Sequence, residues 1–232
     1  MLLSACGHNP ELDDELTEQQ LYEKARKALD NNSYIAAISR LESLEARFPF
    51  GRYAAQTQID LPYAHLKNLD YAAAEAAAAR FLRNFSGTEG TDYVLYIKGM
   101  ANYEADQGLF SKYISTDISS RDIGAAKHAL EDFYQLVSRY PDSEYAPDAR
   151  ARMVYLRNEL AEHELHVGRY YLRREAYMAA AERGRYVLFN FQGTPSIKGA
   201  LKLLQASYQA LGDDAKAQQF QGLYQQHFGD EA

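Results

Sequence analysis

The sequence contains no tryptophan and only one cysteine, Cys6, so no disulfide can close within the chain. It has no apolar run of about 18 residues, the length a membrane-crossing helix needs. It also lacks an excess of base. Lys and Arg number 25 against 32 Asp and Glu, giving a net charge of −7 and a pI near 5.4. That balance excludes the basic face with which a nucleic-acid binder displaces counterions. There is no P-loop, no dinucleotide glycine fingerprint and no nucleophile elbow. The six histidines and single cysteine show no metal-ligand spacing. "EHELH" sets His163 and His166 three positions apart, whereas the zincin motif has them four apart on one helix face. A metal enzyme using this pair is the enzymatic alternative; the plain reading is two solvated histidines on a charged face. No long Val/Ile/Thr alternation points to strands.

What is present is aromatic and unevenly charged. Nineteen Tyr and ten Phe supply amphipathic rings for core and surface. Glu11, Asp13, Asp14, Glu15 and Glu18 form an unrelieved acidic stretch, while Arg169, Arg173, Arg174, Arg183 and Arg185 face only Glu175 and Glu182. A local basic stretch in an acidic protein suits an acidic protein partner. At the start, "MLLSACG", Leu2 and Leu3 followed by small Ser4 and Ala5 before Cys6 resemble the lipobox of bacterial lipoproteins. In that pattern the chain is cleaved before the cysteine, which then carries lipid. The charged leader and most of its apolar stretch would precede these residues, so residues 1–5 are expected to be a truncated signal remnant. The alternative is an unmodified N-terminal thiol. Several acyl chains on one residue would anchor stably, at about 0.8 kcal/mol per buried methylene. Gly7, where retention at the inner membrane would call for Asp, favours the outer membrane.

Beyond residue 17 the chain repeats itself. "NNSYIAAISRLESLEARFPFGR", "KNLDYAAAEAAAARFLRNFSGT" and "RREAYMAAAERGRYVLFNFQGT" align without gaps. Tyr34, Tyr71 and Tyr177 fall in one column; Ala37, Ala74 and Ala180 in another; Phe48, Phe85 and Phe191 in a third. Two further copies place Ala129 and Ala217 in the alanine column, and Tyr140 and Phe228 in the aromatic one. The aromatic spacings are 37, 55, 51 and 37 residues. The outer ones approach the ~34-residue tetratricopeptide period; the middle ones exceed it by roughly a turn plus a short helix. Small residues Ala25, Gly99, Gly168 and Ala206 occupy the tight position of each preceding helix. The expected fold class is all-α, an α-solenoid of five tetratricopeptide-like helix-turn-helix repeats. Pro49 and Pro141 stand where a helix must stop. Pro62 falls in the tight position of repeat two, where a kink or a restart of hydrogen bonding is expected.

Stacked helix pairs leave a concave groove lined from the first helix of each unit. Counting from the tight positions, the groove residues are Tyr22, Arg26, Tyr63, Lys67, Tyr96 and Tyr103. Tyrosines there suit an extended peptide, since each ring offers large contact area and a hydroxyl at low entropic cost. The alternative is that the rings pack between helices. The stretch "DQGLFSKYISTDISSRDIG" (106–124) is a longer loop than the repeat requires.

A lipobox-like cysteine, a short acidic tether and five units with enlarged middle spacings together resemble the BamD (YfiO/ComL) lipoproteins of Gram-negative bacteria. "DYVLYIKGMANYEA", "STDISSRD" and "LAEHELHVGRYYLRREAY" add to the resemblance, which runs from about Cys6 to the C-terminus. It implies a non-enzymatic scaffold at the periplasmic face of the outer membrane, lipid-anchored at Cys6 to the inner leaflet and using no other cofactor. The organisation it implies is a signal remnant, lipidated cysteine and acidic tether over 1–17, repeats 1–3 over 18–140, and repeats 4–5 over 141–232. The first three repeats would receive extended segments of unfolded outer-membrane proteins and touch companion Bam lipoproteins. The last two would grip the membrane-proximal POTRA domain of the barrel-forming subunit, with Arg173, Arg174, Arg183 and Arg185 as the docking cations. A lipid-anchored tetratricopeptide adaptor for periplasmic cell-wall enzymes is the alternative.

Overall fold

The computed structural model of the chain describes residues 15–85, 87–107 and 123–229; Cys6 and nearly all of the 106–124 loop lie outside them. Ten helices occur among the described residues: α1 (Glu18–Asp30), α2 (Tyr34–Arg47), α3 (Ala54–Lys67), α4 (Tyr71–Asn84), α5 (Thr91–Gln107), α6 (Gly124–Arg139), α7 (Ala146–Arg173), α8 (Tyr177–Asn190), α9 (Ser196–Ala210) and α10 (Asp214–Phe228). Taken two at a time they are the five expected helix-turn-helix units, and the described residues are all-α with no strand. The chain forms two compact units, one of residues 1–107 with 131–149 and one of 108–130 with 150–232.

Each helix starts and stops for local reasons. Thr17 and Gln20 form a capping box on α1, the Gln20 N–H donating to Thr17 Oγ1 at 3.3 Å and the Thr17 N–H to Gln20 Oε1 at 3.1 Å. Asp70 and Asp213 accept the third N–H of α4 and α10. Within four of the five pairs the turn is a single design. The N–H of Ser33, Asp70, Ala176 and Asp213 reaches back to the carbonyl of Ala28, His65, Tyr171 and Tyr208. The residue before each has positive φ: Asn32 56°, Leu69 64°, Glu175 61° and Gly212 74°. This is the Schellman end, which favours glycine because a Cβ is crowded there.

Between pairs a second turn recurs. Phe48, Phe85, Tyr140 and Phe191 each end a helix by donating N–H to the carbonyl four residues back. Their own carbonyls then accept from Gly51, Thr88, Ser143 and Thr194, whose carbonyls accept in turn from Ala54, Thr91, Ala146 and Ile197 at 3.0–3.3 Å. The duplicated "RFPFGRYA" and "RYPDSEYA" are two copies of this turn.

The columns read from the sequence are the packing surfaces. Ala37, Ala74, Ala129 and Ala180 are 0% exposed and Ala217 7%. In the first unit, Leu21, Ala25 and Leu29 of α1 pack with Leu41 and Leu44 of α2, Leu61 and Ala64 of α3 and Ala77 of α4. In the second, Ala181, Leu204, Tyr208 and Ala217 join α8, α9 and α10. Gly99 and Gly168 are buried at close helix approaches: a Cβ on Gly99 would stand 2.6 Å from the Phe133 ring, and one on Gly168 would collide with Leu203.

One expectation is narrowed and one corrected. Pro62 lies buried inside α3, which continues past it as one element from Ala54 to Lys67. The ring removes one donor, but buried Thr57, Leu61 and Ala64 secure the helix on either side. The excess length of repeat four is not an added short helix. It is α7 itself, 28 residues long, with no Gly or Pro from Asp148 to Val167 to stop it.

Glu175 carries its positive φ at a cost of about 1–2 kcal/mol, partly offset for glycine by greater chain entropy. Glu175→Gly is therefore expected to raise unfolding free energy by about 0.5–1 kcal/mol, read as a higher urea midpoint at unchanged m-value.

Candidate binding surfaces

In the first unit two of the candidate groove residues, Tyr22 and Arg26, meet on a carboxylate that sequence reasoning missed. Asp60 of α3 has a side chain only 6% exposed. It accepts from Tyr22 Oη at 3.2 Å, Arg26 Nη1 at 3.2 Å and Gln56 Nε2 at 3.0 Å. Tyr22 and Arg26 sit one turn apart on α1, so both reach across to the same acid. The Tyr22 ring also stacks on Tyr53, centroids 4.4 Å apart and 13° from parallel. Burial pushes the Asp60 carboxyl above its ordinary 3.8, against the bonds from Gln56, Arg26 and Tyr22 that pull it down. The Tyr22 phenol is pushed up to about 12 by burial first and by the Asp60 charge second. The pair of Tyr63 and Lys67 lies further along α3. The Lys67 ammonium is 5.9 Å from the Tyr63 ring centre, and that ring meets Tyr34 edge-on.

A second aromatic group is built on α5. Tyr96 donates to Asp148 Oδ2 at 2.7 Å and stacks on Tyr145 at 5.0 Å. Tyr103 packs on Phe133 at 6.5 Å, as Tyr96 does at 6.2 Å. Tyr93 links the groups: its ring lies 5.3 Å from Tyr145. Its phenol is pushed up by burial, then by Tyr63, Tyr145 and Asp60. The six sequence-derived residues thus fall into three sets, Tyr22 with Arg26, Tyr63 with Lys67, and Tyr96 with Tyr103. Their tyrosines are half-buried and touch other helices, while Arg26 and Lys67 are exposed. Asp60, Tyr53, Tyr93 and Tyr145 complete the row. The one signal for Asp60 was a charge inside the apolar run "IDLP", three residues before Tyr63.

In the second unit the arginines separate by role. Arg173 ends α7 and Arg174 lies in the following turn, both exposed. Arg183 of α8 donates from Nη1 to Glu164 Oε2 at 2.7 Å; the acid is 4% exposed and the guanidinium side chain 41%. Arg185 pairs with exposed Glu182 at 3.0 Å. Around Arg183 and Arg185 lies a cleft of about 570 Å³ lined also by Tyr171, Tyr186, Phe189 and Asn190. Phe189 is 72% exposed and Met178 59%. Arg with exposed aromatic rings is the composition of a protein-binding surface. Among the described residues no group of three or more His, Cys, Asp or Glu is placed to hold a metal ion, and no helix is long and apolar enough to cross a membrane.

Paired helices of this kind define a protein of tetratricopeptide type. Comparison with known proteins narrows this class. The family model described as YfiO, outer membrane lipoprotein, matches residues 14–223. A protein of Vibrio cholerae named outer membrane protein assembly factor BamD is 38% identical over 91% of this chain and 88% of its own. Its namesake in Neisseria meningitidis serogroup A is also 38% identical, over 91% of this chain and 82% of that one. In Haemophilus influenzae the namesake is 30% identical over 96% and 85%. The chain belongs to the YfiO outer membrane lipoprotein family.

The raised Asp60 value sets a pH dependence with a definite sign. The folded chain holds this proton to higher pH than the unfolded chain does, so it loses stability as pH rises from the ordinary carboxylate value through the raised one. Asp60→Asn removes that slope. Urea unfolding from about pH 4 to 7 is expected to show wild-type stability declining relative to the variant through this window and level above it.

Proposed function

We propose that the protein is a non-enzymatic scaffold and client receptor in outer-membrane protein assembly, lipid-anchored through Cys6 at the periplasmic face. The observation that carries this reading is similarity over about nine-tenths of the chain to proteins named outer membrane protein assembly factor. The first unit receives extended client segments along its tyrosine row and contacts companion lipoproteins. Rings such as Tyr63 and Tyr96 suit the alternating side chains of an unpaired strand, and Arg26 and Lys67 add charge at its rim. The second unit docks the barrel-forming subunit through its membrane-proximal POTRA domain. Arg183 is suited to this task because buried Glu164 holds it in one pose while part of its guanidinium stays open to a partner carboxylate. Tyr186 and Phe189 supply the apolar area that such a contact needs.

Co-purification in mild detergent tests the docking. Arg183→Glu is expected to lower recovery of the barrel-forming subunit by about thirtyfold or more, since loss of a desolvated charge pair costs roughly 2–5 kcal/mol, and Arg185→Glu, at a rim pair, by less. The Arg185 variant guards against misfolding, because its internal partner is exposed. Full recovery with both variants folded refutes the assignment. For the groove, Tyr63→Ala with Tyr96→Ala is expected to weaken crosslinking to a peptide copying an outer-membrane protein C-terminus. Undiminished crosslinking removes the tyrosine row from client binding.

A further inference from the structure

The turn between helix pairs occurs four times with the same hydrogen bonds, but its tip differs once. The residues two positions after Phe48, Phe85, Tyr140 and Phe191 are Phe50, Gly87, Asp142 and Gly193. Three copies place glycine or a carboxylate in water. The first places a phenylalanine that is 99% exposed, more than any other large apolar side chain described. The bond from the Gly51 N–H to the Phe48 carbonyl, 3.0 Å, braces the tip, so the ring is presented by a closed turn. Pro49 beside it is exposed as well and stiffens the backbone.

Leu16 and Glu18 are bonded on either side of this turn. Arg47 Nη2 donates to the Leu16 carbonyl at 2.9 Å, the Tyr53 N–H donates to Glu18 Oε1 at 2.8 Å, and Leu16 packs against the first unit's core. The N-terminal segment is therefore held on both flanks of the Phe50 turn. Cys6 lies ten residues before Leu16, a reach of at most about 36 Å when fully extended. A lipid on Cys6 keeps a bilayer surface within that reach of Leu16, which is itself bonded beside the Phe50 turn.

We propose that the Phe50 turn is a second membrane contact, inserting its ring among the headgroups and upper acyl chains of the phospholipid surface to which Cys6 is tethered. The inference rests on the lipid-anchored reading of Cys6. One ring is too little to hold a protein on a bilayer, but beside a tether it acts at high effective concentration. The contact gives the first unit a preferred pose against the membrane, where a lipid on a flexible tether alone leaves it free to turn.

The composition makes the test clean. With no native tryptophan and one cysteine, Phe50→Trp introduces a sole indole, and maleimide-phospholipid coupling at Cys6 anchors the full chain to phosphatidylcholine and phosphatidylethanolamine vesicles whether or not cells lipidate it. Anchoring is expected to shift the indole emission to the blue, to cut its quenching by aqueous iodide severalfold, and to expose it to quenching by brominated acyl chains. Ile35→Trp, at a 75% exposed site by the turn at the other end of α1, is expected to keep its aqueous emission. Unchanged emission and iodide quenching at position 50 on anchored vesicles overturns the proposal, as does an equal response at position 35. Palmitate labelling of the wild type against Cys6→Ser tests the anchor by itself. An unlabelled chain overturns the anchor, and with it the contact in cells, even where the coupled sample responds.

Discussion

The close approach of paired helices is the constraint on which the rest of the molecule depends. A single amphipathic helix pair cannot bury its own apolar face, so each must be covered by the next. Helices come near enough only where side chains are small. The alanines at 37, 74, 129 and 180 have no exposure, and Gly99 and Gly168 leave room for Phe133 and Leu203. Packing at interior density follows from this spacing, with larger side chains such as Leu21, Leu41 and Phe81 filling what remains.

Two turns convert that spacing into repetition. The turn within a pair uses a left-handed residue and tolerates Leu69 and Glu175 at some cost in strain. The turn between pairs closes through consecutive backbone bonds and leaves its tip free to vary. Variation at the tip costs the fold little, so it is a place where function can be written without disturbing the core. Phe50 is such a case.

Three buried acids are handled in one manner. Asp60, Asp132 and Glu164 are almost wholly buried, and each meets a more exposed cation, Arg26, Lys98 and Arg183 respectively. Removing one member of such a pair would strand the other, whereas the intact pair adds little net stability. Its use is orientation. The buried acid sets the pose of a cation more exposed than itself, which gives a long flexible side chain a defined position.

The sequence by itself determined the helical class, the five units and the residues that pack them, because periodicity and small-residue columns are local consequences of helix geometry. It also named Tyr22, Arg26, Tyr63, Lys67, Tyr96 and Tyr103 as candidates, by counting along a helix face. It could not identify Asp60 as the common partner of Tyr22 and Arg26, since their contacts to it span 38 and 34 residues and exist only when α1 lies beside α3. Nor could it show that Pro62 leaves α3 whole or that α7 takes up the length of repeat four. Those outcomes are balances between a local preference and burial on neighbouring helices, and only the folded chain supplies the second side of that balance.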